Sequence, residues 1–263
     1  MNVQLVSYSQ PTPEFAAQGI GDAQELIAYC ARVSNPANQF NTETSDRLIR
    51  YLIKHQHWSP LEMVSACMEI VTTRDIARQI LRHRSFSFQE FSQRYADPTQ
   101  ELQSAFVLRD ARFQDTKNRQ NSVDIDHSDE QQRLLAIEWE RAQRRVLFAV
   151  EREYKWAIAN GIAKEQARVV LPEGNTKSRV YVNGTLRSWI HYIQVRSNVD
   201  TQLEHKQVAV ACAQAISAVF PMVNDFVYKE EPVKITPPKI EITVVEPKPN
   251  LKWYQHFFNF HNH

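Results

Sequence analysis

Glycine, cysteine and long apolar runs are all scarce in this sequence, and each scarcity excludes a class of protein. Only five of the 263 residues are glycine, and neither GxGxxG nor GxxxxGK[ST] occurs, which excludes the two common glycine-rich phosphate loops. No stretch approaches the ~20 apolar residues of a membrane-spanning helix. The three cysteines (Cys30, Cys67 and Cys212) are odd in number and widely spaced. We therefore expect no disulfide framework and a cytoplasmic location.

An excess of charge of one sign is also missing. Lys and Arg number 31 against 30 Asp and Glu, so the net charge is +1. This balance predicts that the protein binds neither nucleic acid nor a membrane surface, because such proteins usually carry a strong imbalance. The N-terminal residues lack a basic segment followed by an apolar run, and we expect no signal peptide.

Hydrophobic periodicity predicts helices that surround a few strands. Strands are expected at residues 3–8, 63–73 and 178–182, and helices at about 23–33, 44–56, 74–84, 128–160, 163–171, 185–195 and 201–220. Residues 85–95 have no clean period and predict a loop, and residues 96–128 predict a largely irregular insertion. Ser128 and Gln131 fit a capping box at the start of the longest helix.

The order of these segments predicts the fold class. Because strands and helices do not alternate regularly, we expect an α+β fold, a mixed β-sheet packed with helices in a single domain. Residues 231–263 hold five prolines and end in an aromatic, His-rich run. We interpret them as a C-terminal extension that follows a catalytic domain at residues 1–230.

The densest chemical signal lies between residues 74 and 94. Two acids stand there against five arginines, namely Arg74, Arg78, Arg82, Arg84 and Arg94. The planar guanidinium group suits bidentate contacts to phosphate. Phenylalanines alternate with serines after Arg84, which favours a lined pocket over a solvated loop. The segment alone fits either a nucleotide pocket or an RNA-binding surface.

The spacing within this segment resembles the signature of the flavin-dependent thymidylate synthases. Arg82-His83-Arg84 is followed after seven residues by Ser92 and after one more by Arg94. Other segments resemble the same family in the same order: Arg32-Val33-Ser34, residues 57–62 (HWSPLE), Asn118-Arg119-Gln120, residues 165–172 (EQARVVLP), and residues 186–191 (LRSWIH) leading to Arg196. The resemblance covers roughly residues 1–230.

This resemblance implies an activity and an assembly. Such enzymes convert dUMP to dTMP with 5,10-methylenetetrahydrofolate as carbon donor and bound FAD as hydride carrier, and NADPH reduces the flavin. They are homotetramers with active sites at subunit interfaces. Carried over by motif, the dUMP ligands would be Gln79, Arg82, Glu90, Ser92, Gln93, Arg94, Arg168 and Arg196. The FAD ligands would be Ser59, Arg82, His83, Arg84, Glu90, Thr185, Arg187 and His191. Arg196 would be the catalytic residue at the uracil ring.

The chemistry of these residues agrees with the implied roles. Guanidinium groups stay cationic at any working pH and can hold a phosphate dianion beside a diphosphate. A guanidinium at a uracil oxygen would stabilise developing negative charge by ~3–4 kcal/mol. The other class of thymidylate synthase uses a cysteine thiolate, but all three cysteines here lie in apolar patterns and predict buried side chains. Ser92 has no neighbouring base, so we expect it to bind rather than attack.

Three positions depart from the usual pattern of the family. Asp200 stands where histidine is common, and we leave it out of the flavin site. Thr185 stands where asparagine is common. Gln93 replaces a common glycine, so its contact would use the backbone N–H.

Two further points concern geometry. Arg187 and Arg196 are nine residues apart, which places them about 180° apart on one helix. Either the helix ends before Arg196, or the two arginines serve different sites across an interface. His55 and His57 have a spacing that could suggest a metal, but no third ligand follows and HExxH is absent, so we expect no metal site.

Overall fold

Four antiparallel strands form the central sheet in a computed structural model that describes residues 1–229. In chain order the strands are β1 (Asn2–Tyr8), β2 (Ser65–Thr73), β3 (Ser87–Glu90), β4 (Arg112–Gln114), β5 (Ser122–Asp124) and β6 (Lys177–Thr185). The α-helices are α1 (Pro13–Ala17), α2 (Ala23–Ala31), α3 (Ser45–Lys54), α4 (Arg74–Ile80), α5 (Pro98–Glu101), α6 (Glu130–Ala159), α7 (Lys164–Ala167), α8 (Leu186–Arg196) and α9 (Leu203–Ser217). Short 3₁₀ turns lie at Pro36–Asn38, Ser59–Glu62, Arg168–Val170 and Pro221–Phe226.

The sheet order is β1-β2-β6-β3, and β4 and β5 form a separate hairpin. The predicted α+β fold is confirmed, since helices pack on an antiparallel sheet. The central sheet is antiparallel at each of its three pairings rather than mixed. Strand direction depends on how distant segments pair, and the pattern within one strand does not contain that information.

One face of the sheet is buried because its strands alternate. Ala66, Met68 and Ile70 in β2 are buried, and the residues between them are only half-buried. Val180 and Val182 in β6 continue the same face. They share one hydrophobic cluster with the buried faces of α8 and α9, whose apolar residues recur at helical spacing. This packing fixes α8 and α9 against the sheet.

Residues 85–95 are not all loop, because β3 forms within them. Ser87 to Glu90 pair with β6, and Ser87 lies opposite Asn183. The alternation of serine and phenylalanine is the period of a strand: Phe86 is buried and Phe88 is half-buried, while Ser87 is exposed. The loop prediction was therefore wrong at these four residues.

The predicted insertion at residues 96–128 is irregular apart from α5 and the β4–β5 hairpin. The predicted capping box is displaced by one residue. Asp129, not Ser128, caps α6 by accepting a hydrogen bond from the Gln132 N–H, and the Ser128 hydroxyl donates to Asp126 at 2.6 Å instead. The proposed extension at residues 231–263 lies outside the described residues. None of the helices within residues 1–229 is long and apolar enough to cross a lipid bilayer.

Candidate functional site

The turn that joins α4 to β3 carries Arg82, His83 and Arg84, and aromatic packing holds it in place. The Phe86 ring lies 4.6 Å from the Trp189 ring and 5.9 Å from the Tyr192 ring, measured between centroids. Gly184 leaves the space for Phe86, since a Cβ at that position would lie 2.3 Å from the phenyl ring. The turn is thereby fixed against the inner face of α8.

His83 and Arg196 form a direct hydrogen bond within this packing. The Arg196 Nε–H donates to His83 Nε2 at 2.8 Å. Burial and the nearby Arg196, His191 and Arg82 lower the pKa of His83 to about 4, so the ring is neutral near pH 7. A guanidinium can only donate, so Nε2 must be the unprotonated nitrogen and Nδ1 must carry the proton. Arg196 therefore keeps its full positive charge beside a neutral partner.

A second histidine lies behind this pair. His205 in α9 is fully buried, and its Nδ1 lies 3.1 Å from Gln79 Oε1 while its Nε2 lies 3.1 Å from the Tyr192 hydroxyl. Burial, with Arg196 and His83 nearby, lowers the pKa of His205 to about 3. We call Gln79, His83, Tyr192, Arg196 and His205 the central group. His205 and Tyr192 lie within apolar helix patterns, so the sequence does not mark them as site residues.

A second set of predicted residues meets at Glu165, which precedes Arg168 by three positions. Arg94 Nε lies 3.7 Å from the Glu165 carboxylate, and Arg168 Nε donates to the Glu165 backbone carbonyl at 3.3 Å. Ser92 is local to Arg94, whose N–H lies 3.4 Å from the Ser92 hydroxyl. We call Ser92, Arg94, Glu165 and Arg168 the outer group. It is largely exposed, in contrast to the central group.

Two further predicted residues lie beside this outer group. Gln93 is only 3% exposed, and its side-chain Nε2 has no hydrogen-bond partner among the described residues. Glu90 accepts a hydrogen bond from the Ser178 hydroxyl at 2.7 Å and lies 3.8 Å from Arg74. A buried donor without a partner is costly, and the Gln93 Nε2 is such a donor among the described residues.

The third set lies at the start of α8. Thr185 caps this helix by accepting from the Ser188 N–H at 3.3 Å. Arg187 forms an ion pair with Glu62, which ends the 3₁₀ turn that begins at Ser59. We call Ser59, Glu62, Thr185 and Arg187 the helix-start group.

The structure excludes the first of the two alternatives given above for Arg187 and Arg196. Helix α8 is continuous through Arg196, so the helix does not end before it. Arg187 contacts Glu62 and Arg196 contacts His83, so the two side chains reach different elements. Within residues 1–229, no side-chain hydrogen bond or ion pair joins the central, outer and helix-start groups.

The remaining predicted residues lie on the surface of this region. Arg82, Arg84 and His191 are exposed, and neither of the two arginines has a carboxylate partner in the described part of the chain. Asp200, the departure from the family pattern, accepts a hydrogen bond from the Asn118 amide at 2.7 Å. That contact ties the insertion to the segment after α8.

The cysteine side chains are not activated. Cys30 and Cys67 are half-buried and Cys212 is fully buried, and none of them forms a disulfide. Burial raises the pKa of each of the three thiols above its usual value. None of them is therefore a ready thiolate at neutral pH.

Comparison with known proteins supports the same conclusion as the motif. Residues 18–222 match the family described as thymidylate synthase complementing protein. The chain is 45% identical over 224 residues to a probable flavin-dependent thymidylate synthase of Paramecium bursaria Chlorella virus 1, which covers 85% of this chain and 97% of that protein. It is also 45% identical over 227 residues to the flavin-dependent thymidylate synthase of Synechocystis, with the same two coverages.

A solved structure agrees at the level of the fold. The crystal structure of the UMP/dUMP methylase PolB from Streptomyces cacaoi bound with 5-Br dUMP superposes with a TM-score of 0.67 at 26% identity, over 86% of this chain and 93% of that one. The resemblance carried by the Arg82-His83-Arg84 motif is thus confirmed. This chain belongs to the family of flavin-dependent thymidylate synthases.

Proposed function

We propose that this protein reductively methylates dUMP to dTMP, with 5,10-methylenetetrahydrofolate as carbon donor and NADPH-reduced FAD as hydride carrier. The observation that carries the proposal is the pairing of Arg196 with a neutral His83 at 2.8 Å. No carboxylate in residues 1–229 lies within ion-pair distance of Arg196, so its charge is free to act on a ligand.

The uracil ring is the part of the substrate that needs this charge. Its C5 must become electron-rich before it can attack a one-carbon unit, and negative charge then builds up on the ring oxygens. A guanidinium held in a dry site stabilises that charge without reorganising, an effect of ~3–4 kcal/mol for one donor. His83 holds the Arg196 Nε–H in one direction, which leaves the terminal N–H groups for the ring.

The phosphate of dUMP would occupy the outer group. Arg94 and Arg168 meet at Glu165, and Arg168 has only a backbone carbonyl as its described polar partner. Ser92 supplies a hydroxyl, and Gln93 supplies a backbone N–H and a buried amide without a partner. Gln79, Arg82 and Glu90 would complete the site around the sugar and phosphate.

The donor set around the turn and the start of α8 fits FAD. Arg82, Arg84, Arg187 and His191 offer cationic or hydrogen-bonding groups to a diphosphate, and Ser59, His83, Glu90 and Thr185 offer neutral or accepting groups to its polar rings and ribityl chain. When bound, FAD supplies the hydride that reduces uracil C6. With that route, no cysteine thiolate is needed, which agrees with the raised thiol pKa values.

The separation of the three groups supports a site shared between subunits. One chain carries all the predicted ligands, but the central, outer and helix-start groups reach different elements within it. A homotetramer with active sites at subunit interfaces would bring groups of different subunits together. The catalytic domain would span residues 1–230, with residues 231–263 as an extension. Three free thiols are consistent with a cytoplasmic location.

The activity is tested with the purified full chain. We expect a yellow protein with flavin absorption bands that forms dTMP from dUMP only when methylenetetrahydrofolate and NADPH are both present. A colourless protein that FAD cannot reconstitute would overturn the proposal. Formation of dTMP without the folate would overturn the assignment of the carbon donor.

Sharing of the site is tested by mixing two impaired variants at a dUMP concentration low enough that each of them alone has little activity. Arg94→Ala removes an outer-group cation, and Arg187→Ala removes a helix-start cation. If one active site draws these groups from different subunits, a refolded mixture of the two variants should regain activity that neither has alone. A mixture as inactive as its components would contradict the shared site.

A further inference from the structure

A chain of polar side chains connects a largely buried ion pair to Gln79. Arg109 in the insertion lies 2.7 Å from the Glu204 carboxylate and 2.9 Å from the Asp75 carboxylate. Glu204 accepts a hydrogen bond from Gln202 Nε2 at 2.9 Å. The Gln202 Oε1 then accepts from Gln79 Nε2 at 2.8 Å. Four consecutive contacts thus link helix α4, the insertion and the start of α9.

The carboxylate at one end fixes the direction of every hydrogen bond in this chain. A carboxylate can only accept, so the Gln202 amide must turn its NH₂ toward Glu204 and its oxygen toward Gln79. Gln79 must therefore donate to Gln202, which turns its own oxygen toward His205 Nδ1. His205 Nε2 is then the acceptor for the Tyr192 hydroxyl. The orientation of the Gln79 amide is thus set from the Glu204 end, and the tautomer of His205 follows from it.

The ion pair that sets this direction is itself firmly held. The side chain of Arg109 is 17% exposed, and it donates further hydrogen bonds to the Thr73 hydroxyl at 2.7 Å and to the Gly174 carbonyl at 3.2 Å. Burial alone would raise the pKa of Glu204, but hydrogen bonds from its own backbone N–H, Arg109 and Gln202 lower it overall. Glu204 therefore remains a charged acceptor at neutral pH.

We propose that Gln202 and Glu204 are positioning residues that orient the Gln79 amide so that its second N–H faces an oxygen of dUMP. This inference rests on the proposed function, in which Gln79 contacts the substrate. The oxygens of the dUMP phosphate and sugar need donors, and a reversed amide would present an oxygen to them instead. These hydrogen bonds orient the Gln79 amide before dUMP binds, because every contact is made between residues of one polypeptide.

Exchanging the residue types at positions 202 and 204 tests the proposal. Gln202→Glu places two carboxylates at a 2.9 Å contact, which repel and release Gln79. The double variant Gln202→Glu/Glu204→Gln restores the pattern, because the residue at 204 can again donate to a carboxylate that accepts from Gln79, while Arg109 keeps Asp75. Gln214→Glu is the matched control, since Gln214 is exposed on the same helix and lies outside the chain of contacts.

The measurement is the dissociation constant of dUMP for the FAD-loaded enzyme. Each variant is measured once with Gln79 intact and once combined with Gln79→Ala. We expect Gln202→Glu to weaken binding about ten-fold with Gln79 present, as expected for one lost hydrogen bond. The double variant should recover to within about three-fold of the unmodified enzyme, and Gln202→Glu should have little effect once Gln79 is alanine. FAD content should stay unchanged in all of them.

Three results would overturn the inference while leaving the proposed function intact. They are equal weakening by Gln202→Glu in both backgrounds, failure of the double variant to recover, and unchanged dUMP binding in Gln79→Ala. Loss of affinity in Gln214→Glu equal to that in Gln202→Glu would also overturn it. Absence of any dUMP binding by the unmodified FAD-loaded enzyme would instead overturn the proposed function.

Discussion

The central group and the outer group are built in opposite ways. In the central group, His205 and Tyr192 are fully buried, and Arg196 is oriented by a direct hydrogen bond to His83. In the outer group, the side chains of Arg94 and Glu165 are both more than half exposed, and their ion pair is 3.7 Å long. One region is partly buried and linked by hydrogen bonds, and the other is open to solvent.

This difference shows which part of the site is organised before any ligand binds. In the proposed function, charge stabilisation at the uracil ring falls to the central group, whose hydrogen bonds are already formed within the chain. Phosphate binding needs mainly cations that can rearrange, and an exposed ion pair contributes only about 0–1 kcal/mol, so Arg94 is easily released from Glu165. We therefore expect ring chemistry to be sensitive to small changes and phosphate binding to be lost in graded steps.

The largest effect should follow from removing Arg196 from the central group. Arg196→Ala should lower turnover about 10²–10³-fold, because one preorganised donor to developing charge is lost. FAD content should remain near that of the unmodified enzyme. The measurement is dTMP formation under saturating substrates together with flavin absorbance. Gln194→Ala, exposed on the same helix, is the control. Turnover that survives the loss of Arg196 would contradict its assignment to the ring.

A smaller and different effect should follow from removing Arg94 from the outer group. Arg94→Ala should weaken dUMP binding about 10–100-fold, because a hydrogen bond to a charged group is lost. Turnover at saturating dUMP should fall much less than in Arg196→Ala. Titration of the FAD-loaded enzyme with dUMP measures the first effect. An unchanged dissociation constant would refute the phosphate role.

Glu165 provides the matched control for this prediction. Glu165→Gln removes the carboxylate that Arg94 faces but keeps the size of the side chain. We expect dUMP binding that is unchanged or slightly tighter, and a free energy of unfolding within about 0.5 kcal/mol of the original, because the ion pair is exposed. If Glu165→Gln weakened dUMP binding as much as Arg94→Ala does, the Arg94–Glu165 ion pair, and not Arg94 alone, would be what binding requires.

Packing behind the central group gives the next prediction. Gly184→Ala would place a Cβ 2.3 Å from the Phe86 ring, so Phe86 must shift against Trp189 and Tyr192. We expect a loss of about 1–3 kcal/mol in the free energy of unfolding, as is usual for overpacking. Gly174→Ala is the control, since a Cβ there meets no atom within 4 Å. Equal denaturant midpoints for the two variants would contradict this account.

The same contrast explains how much could be predicted from the sequence. Helix α8 was expected at residues 185–195 and spans Leu186–Arg196, because its apolar periodicity and the Thr185 cap are local signals. Arg82 to Arg84 were expected at the end of a helix over residues 74–84, but α4 ends at Ile80 and these residues lie in the turn before β3. Strand β3 was missed because its partner β6 is distant: Ser87 pairs with Asn183.

The central group could be predicted only in part, for the same reason. His83 and Arg196 follow from the family motif, but their hydrogen bond joins residues 113 positions apart. His205 contacts Gln79 across 126 positions, and within its own helix it lies in an apolar pattern that predicts only core. Gln202 and Arg109 belong to no motif. Contacts of this kind depend on how elements pack, which hydrophobic periodicity does not specify.

The last prediction concerns how stability depends on pH through the buried His205. Burial, with Arg196 and His83 nearby, lowers the pKa of His205 from 6.5 to about 3, so the folded state keeps it neutral while the unfolded chain binds a proton below pH 6.5. The stability that depends on neutral His205 is therefore complete above pH 6.5 and is lost as the pH falls toward 3. Between pH 8 and pH 5.5 the free energy of unfolding should drop by about 1 kcal/mol from this group. Urea denaturation of the original chain and of His205→Gln at the two pH values measures this drop. On acidification the variant should lose about 1 kcal/mol less stability than the original chain. Equal losses would mean that burial does not hold His205 neutral.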